Sequence, residues 1–270
     1  MSLICATIMA IAFARARNPM MVIFSATIVF SNAVDVLGGL IYNFDWDSAP
    51  EGVCYAQAMA RQLAGFSFWT SGFCFTVQAY RLIAYNKRDD RFNRYCYGLI
   101  ATFCVVGTML VTIISIKTEA VKSGNYRCDI ANPTWVRLMG ANGVSLLLVP
   151  ASTYFSLGAA YAPVNGENKP DAIVQVRDVL EGPSKIRNNN NVTRNAALRM
   201  VSFAIAYFLL NLLTSIGTVM DTIQNVPFDP RPDWSDFAGP MIAFVILLIF
   251  GTASDARRWF GEKLRNIFRK

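Results

Sequence analysis

Four long, uncharged apolar runs limit the folds open to this chain more than any other feature of its sequence. They cover residues 95–116, 138–166, 200–220 and 237–254. A bilayer core of roughly 30 Å takes about 20 apolar helical residues to cross, and backbone groups in lipid must be satisfied inside helices or a closed barrel. Continuous apolar runs favour helices, because barrel strands alternate apolar and polar residues. The sequence therefore predicts an all-α membrane protein.

The same pattern divides the chain into seven helical segments. They cover residues 2–13, 20–44, 54–85, 95–116, 136–161, 195–220 and 237–254. We expect a seven-helix transmembrane bundle over residues 1–254. The first segment is too short to span, and we interpret it as the inner end of a first helix whose outer half would precede Met1. A short interfacial helix is the alternative.

Charge is distributed unequally between the two ends of these segments. With the loop at 14–19 placed inside, the cytoplasmic regions hold 19 of the 25 basic residues, while the outer loops carry acids such as Asp45, Asp47 and Asp129. The positive-inside rule then predicts an N-terminus outside and a C-terminus in the cytoplasm. The same rule accounts for the net charge of +7 without a nucleic-acid partner.

Two cytoplasmic regions follow from this topology. The loop at 162–194 contains three prolines and a run of four asparagines, which predicts a mobile segment. Residues 255–270 predict a basic amphipathic helix on the inner leaflet, with a disordered basic tail as the alternative. Its apolar side chains share one helical face: Trp259, Phe260, Leu264, Ile267 and Phe268.

The chain has no histidine. Zinc-dependent membrane hydrolases use histidine ligands, and acid–base chemistry near neutral pH commonly uses the same side chain. We therefore expect a protein that is not an enzyme and holds no metal or other cofactor.

Two of the six cysteines fall on the predicted outer side. Cys54 opens the third segment, and Cys128 lies in the loop between the fourth and fifth. Disulfides persist outside the cell, so we predict a Cys54–Cys128 bond that ties this loop over the bundle. The other four cysteines lie in or near spans, where they are expected to pack as apolar residues.

Asp35 in the second segment and Arg61 in the third are charged residues, which are energetically costly inside a bilayer. Charges inside a bilayer usually face a bundle interior or a water-filled cavity, and they tend to pair. Both residues lie roughly 10–14 Å below the outer surface at about 1.5 Å per residue. We predict an Asp35–Arg61 pair that serves either as a polar anchor for a ligand or as an ion pair that fixes helix packing.

Further polar residues could extend such a ligand site. Asn142, Asn211 and Asp221 lie on the fifth and sixth segments or at their ends, although asparagines in spans often only bond neighbouring helices. Pro150 interrupts the fifth segment and predicts a kink. That kink could act as a hinge or could be static.

Together, the seven segments, the outer N-terminus, Cys54, Cys128 and the basic tail resemble those of G-protein-coupled receptors. The segment YRCDIANPTWVRLMGANGVSLLLVPAS and the overall spacing are similar to fungal cAMP-receptor-like and glucose-sensor-like receptors. The resemblance implies a multi-pass plasma-membrane protein that senses an extracellular ligand and signals to a heterotrimeric G protein. The rhodopsin-like Asp/Glu-Arg-Tyr triplet is absent, because the corresponding residues read Gln78-Ala79-Tyr80-Arg81. The seventh segment also lacks the lysine of retinal-binding proteins.

In the receptor interpretation, the inner end of the third segment contacts the G protein. Tyr80, Arg81 and Arg88 are the candidates for this contact. A basic cluster that reaches lipid phosphates is the alternative for Lys87 and Arg88. A small transporter or channel, and a receptor fragment that does not signal, remain as rival functions for the whole chain.

Overall fold

The computed structural model is mostly helical. It describes residues 2–15, 19–43, 48–85, 90–123 and 127–161, together with scattered residues between 202 and 248. In chain order the elements are α1 (Ser2–Arg15), α2 (Pro19–Ile41), α3 (Glu51–Tyr85), α4 (Asp90–Thr102), a π-helical turn (Phe103–Gly107), α5 (Thr108–Thr118), β1 (Val121–Ser123), β2 (Cys128–Ile130), α6 (Thr134–Met139) and α7 (Ala141–Tyr161).

Three stretches of the described chain are long and apolar enough to cross a membrane: Pro19–Ile41, Arg91–Thr118 and Thr134–Gly158. The 35-residue helix α3 is longer than any of these, but glutamines, two arginines and several hydroxyl residues interrupt its apolar character. Its polar residues lie where it packs against other helices, so burial rather than lipid exposure accounts for its composition.

Helix α3 lies at the centre of the bundle. It packs against α2, α4, α5, the β-hairpin and α7. Large aromatic rings fill the space between α3 and its neighbours: Phe24 stacks on Phe68 with ring centroids 4.6 Å apart, and Phe73 meets Phe155 at 6.1 Å. Such pairs add to the stabilisation from buried area. Side chains that converge on this one long helix therefore form a large part of the described interior.

The outward faces of the helices are apolar. On the continuous helix of α4, the π turn and α5, exposed apolar side chains recur every three or four residues: Tyr95, Leu99, Phe103, Val106, Met109, Ile113 and Ile116. A second series with the same spacing comprises Ile205, Leu209, Leu212, Ile216 and Met220. Apolar surface of this extent is unusual on a soluble monomer and is the expected surface of a helix in lipid.

The π turn keeps one face of the α4–α5 helix towards α3. The buried residues Cys96 and Ser115 lie 19 positions apart. At about 100° per residue, an unbroken α-helix would place them about 100° apart around its axis. The turn Phe103–Gly107 takes up one additional residue, which restores the alignment. It also brings Gly107 against α3, where a Cβ atom would lie 3.0 Å from the Phe66 ring.

Several segment boundaries differ from the sequence-based expectation. Helix α3 begins at Glu51 rather than at Cys54, and α4 begins at Asp90 rather than at Tyr95. Helix α2 ends at Ile41 rather than near residue 44, and Asn43 adopts a positive φ of 50° just after that end. The fifth segment is not one helix, because α6 and α7 are separated at Gly140. A Cβ at this position would lie 2.7 Å from the Gln62 side-chain oxygen, so glycine allows α3 to approach the break closely.

Several sequence-based predictions lie outside the described residues. These are the loop at 162–194, the amphipathic helix at 255–270 and most of the sixth and seventh segments. The scattered positions described between 202 and 248 are helical.

We expect Gly72→Ala to destabilise the bundle. A Cβ at position 72 would lie 2.6 Å from the Tyr207 hydroxyl oxygen and 3.0 Å from Cζ. Tyr207 is only 3% exposed and stacks on Phe203, so the ring has little room to move. Overpacking of this kind costs about 1–3 kcal/mol, measurable by thermal unfolding in detergent. Gly98→Ala is the matched control, because no atom lies within 4 Å of its added Cβ. Equal stability of the two variants would contradict the prediction.

Candidate functional site

One end of the bundle, here called the hairpin end, is covered by a short antiparallel β-hairpin. Strands β1 and β2 pair with Val121 opposite Ile130 and Ser123 opposite Cys128. Cys128 and Ile130, the two end residues of β2, are buried. The predicted disulfide between Cys54 and Cys128 is confirmed, with an S–S distance of 2.03 Å. The bond joins β2 to the first turns of α3.

A side chain of α3 reinforces this covalent link. The backbone N–H of Cys128 donates to Oε1 of Gln57 at 2.9 Å, and Gln57 is itself buried. At the open end of the hairpin, the N–H groups of Ala131 and Asn132 donate to the Ala120 carbonyl. The disulfide and this buried hydrogen bond are thus two of the contacts that fix the hairpin to α3.

Arg61 lies between two carboxylates at the hairpin end. Its Nη1 donates to Oδ2 of Asp129 at 2.9 Å, and its Nε lies 3.5 Å from Oδ1 of Asp35. The structure therefore brings Asp35 and Arg61 together, as the sequence predicted, while their role in ligand binding stays a prediction. The closer partner of Arg61 is Asp129. This ion cluster joins α2, α3 and the hairpin.

The sequence-based site did not include Asp129, Gln57 or Arg127. Arg127 Nε lies 3.4 Å from Oδ2 of Asp129, and Gln57 Nε2 donates to Oδ1 of Asp35 at 3.4 Å. One signal could have found them. Cys54, Gln57 and Arg61 are spaced i, i+3 and i+7 and share one helical face. A disulfide at Cys54 therefore brings the residues next to Cys128 towards Gln57 and Arg61.

The electrostatic environment of Asp129 favours its charged form. Burial raises the pKa of this carboxyl, but the charges of Arg61, Arg127 and Arg137 and the N–H of Ile130 together hold the pKa below its usual value. Asp129 is thus an ionised acceptor surrounded by guanidinium groups at neutral pH.

The opposite end of α3 carries Tyr80 and Arg81, two of the three residues predicted to contact the G protein. Tyr80 packs on Phe155 of α7, with ring centroids 5.5 Å apart. The Arg81 guanidinium lies over the Phe92 ring of α4 at 4.1 Å, a cation–π contact. Beside it, Gln78 donates to Asn93 at 2.7 Å. Both candidates therefore contact neighbouring helices, and their role in signalling stays a prediction.

The remaining candidates are placed only in part. Helix α7 continues through Pro150, whose missing N–H removes one intrahelical hydrogen bond. The backbone of Asn142 belongs to the first turn of α7. Arg88, Asn211 and Asp221 lie outside the described residues, as does the side chain of Asn142.

Comparison with protein-family models and with curated protein sequences finds no match.

Proposed function

We propose that this chain is a seven-helix receptor that binds an extracellular ligand at the hairpin end and signals to a cytoplasmic heterotrimeric G protein. In this proposal the hairpin end faces outward. The ligand contacts Asp35 and Arg61, and the end that carries Tyr80 and Arg81 faces the G protein.

The observation that carries the proposal is the placement of both candidate regions on one unbroken helix. Helix α3 holds Cys54, Gln57 and Arg61 near its start and Tyr80 and Arg81 near its end. Cys54 and Arg81 are 27 residues apart, which corresponds to about 40 Å along a helix. That length matches a bilayer including its headgroup regions, roughly 40–45 Å. A change in the ion cluster can thus reach the opposite surface through a single rigid element.

The contacts at the far end of α3 support a signalling role. Arg81 lies against α4 through Phe92, and Tyr80 lies against α7 through Phe155. A movement of α3 relative to either neighbour would alter these contacts and the surface they form. Ligand binding would shift the balance between two such arrangements only by its differential affinity for them.

A small transporter is the second candidate, because charges at membrane depth also mark substrate pathways. Two assays on the purified full chain separate the candidates. A receptor accelerates nucleotide exchange on a G protein in nanodiscs when ligand is added, whereas a transporter moves solute across liposomes. Solute flux without any effect on exchange would reject the receptor.

Arg81→Ala provides a residue-level test of the receptor. Loss of the cation–π contact with Phe92 should reduce G-protein activation by about tenfold or more, the equivalent of about 1.4 kcal/mol. Arg94→Ala is the matched control, because Arg94 is an exposed basic residue of α4 at the same end. Activation is measured at equal surface expression. Equal signalling by Arg81→Ala and Arg94→Ala would show that Arg81 has no role in signalling and is only part of the end of α3.

A further inference from the structure

The two carboxylates of the ion cluster differ in how completely they are neutralised. Asp129 accepts a 2.9 Å hydrogen bond from Arg61 and lies 3.4 Å from Arg127, and Arg137 adds a further positive field. Asp35 has two longer contacts, at 3.5 Å to Arg61 and 3.4 Å to Gln57. The positive charges of the arginines are therefore concentrated around Asp129 rather than around Asp35.

The partners of Asp35 are also occupied elsewhere. Arg61 makes its shorter contact with Asp129. Gln57 uses its oxygen to fix the hairpin through the N–H of Cys128. Neither side chain can move fully towards Asp35 without giving up a stronger interaction. Asp35 thus keeps acceptor capacity that these two groups do not fill.

The position of Asp35 within the membrane-spanning helix α2 makes its unfilled acceptor capacity energetically important. It lies six residues before the end of α2 at Ile41, about 9 Å along the helix, and its side chain remains 33% exposed within the described structure. An ionised carboxylate at membrane depth is costly unless it pairs with a cation or faces water. A partly exposed carboxylate here is a place where a cation is stabilised.

We infer that Asp35 anchors the charged nitrogen of an organic ammonium ligand, while Arg61 remains paired with Asp129. This inference rests on the proposed function, because it names the ligand class of the proposed receptor site. An anionic ligand at Arg61 would compete with Asp129 and would lie beside the negative charge of Asp35. A primary or quaternary ammonium group instead completes the neutralisation of Asp35 and disturbs no shorter contact.

The test uses thermal unfolding of the purified full chain with choline and ethanolamine as ammonium probes. The comparison compound is 3,3-dimethyl-1-butanol, which replaces the choline nitrogen by carbon and is uncharged. Acetate and glucose represent anions and neutral polyols, and sodium chloride matches the ionic strength. At tenfold above its Kd, a ligand should raise Tm by about 3–6 °C. We expect this rise for an ammonium probe and not for its uncharged counterpart.

Variants then locate the effect. Asp35→Asn keeps the size of the side chain and should abolish the ammonium-dependent rise. Glu51→Gln is the matched control, because it removes one exposed negative charge at the hairpin end and should leave the rise intact. Should Asp35→Asn fail to fold, the comparison of choline with its uncharged counterpart on the unchanged chain decides the question.

The outcomes separate the ligand class from the receptor function. No rise with either ammonium probe, an equal rise with the uncharged counterpart, or a rise that survives Asp35→Asn overturns the inference. Stabilisation by acetate or glucose alone also overturns it and leaves the receptor proposal standing. An Asp35-dependent ammonium effect without G-protein activation supports the inference and rejects the receptor.

Discussion

Replacing Arg61 by methionine should lower the free energy of unfolding by about 3–5 kcal/mol, because the variant leaves two carboxylates without their shared partner. Arg61 is 19% exposed and contacts Asp129 at 2.9 Å and Asp35 at 3.5 Å. Without the Arg61 guanidinium, Asp35 loses its ion pair and Asp129 loses its closest one, so both carboxylates are less neutralised at the junction of α2, α3 and the hairpin. Chemical unfolding in a fixed detergent would measure the loss.

Two further variants test whether the less neutralised carboxylates cause this loss of stability. Arg127→Met removes the longer contact of Asp129, at 3.4 Å, and should cost no more than about 1 kcal/mol. Adding Asp35→Asn and Asp129→Asn to Arg61→Met removes both carboxylate charges and should regain most of the stability. A methionine variant as stable as the unchanged chain, or no recovery in the triple variant, would contradict the ion-cluster account.

Removal of the disulfide should have the second-largest effect. Cys54 and Cys128 are 74 positions apart, so the bond restricts a long loop of the unfolded chain. Cys54→Ser with Cys128→Ser should therefore cost about 2–5 kcal/mol. Because β2 also carries Asp129, the hairpin should loosen and Arg61 should lose its closer partner. Cys5→Ser is the control, since Cys5 is a partly exposed free thiol.

Unfolding measurements and proteolysis of the hairpin report on the two consequences separately. We expect cleavage near residues 121–130 to accelerate only in the double serine variant. Unchanged stability and unchanged cleavage would mean that Gln57 and the buried face of the hairpin suffice to hold it.

Hydrophobic pattern and charge predicted some parts of this fold well. The uncharged apolar runs identified the α4–α5 helix and α7, because a span must be largely apolar to lie in lipid. The same hydrophobic pattern identified α2 as the second segment. The disulfide followed from the position of its two cysteines on one side of the predicted membrane. The approach of Asp35 to Arg61 followed from their equal depth on adjacent antiparallel helices.

Other parts depend on contacts that no local pattern contains. Asp129 is 68 residues from Arg61, and its position is set by the hairpin register rather than by any helical period. The break at Gly140 reflects the approach of the Gln62 side chain. The π turn at Phe103–Gly107 lies inside an apolar run whose composition is the same as that of an ordinary helix.

The π turn at Phe103–Gly107 also determines whether the Cys54–Cys128 disulfide can form. Shortening Phe103–Gly107 by one residue would turn α5 by about 100° relative to α4. Tyr55, which donates to the Ser115 carbonyl at 3.4 Å, would then face a different side of α5. The hairpin that follows α5 would swing with it and carry Cys128 away from Cys54. A single extra residue deep in a helix thus determines which thiols meet at its end, and length changes at this point are far less tolerable than equal changes in a loop.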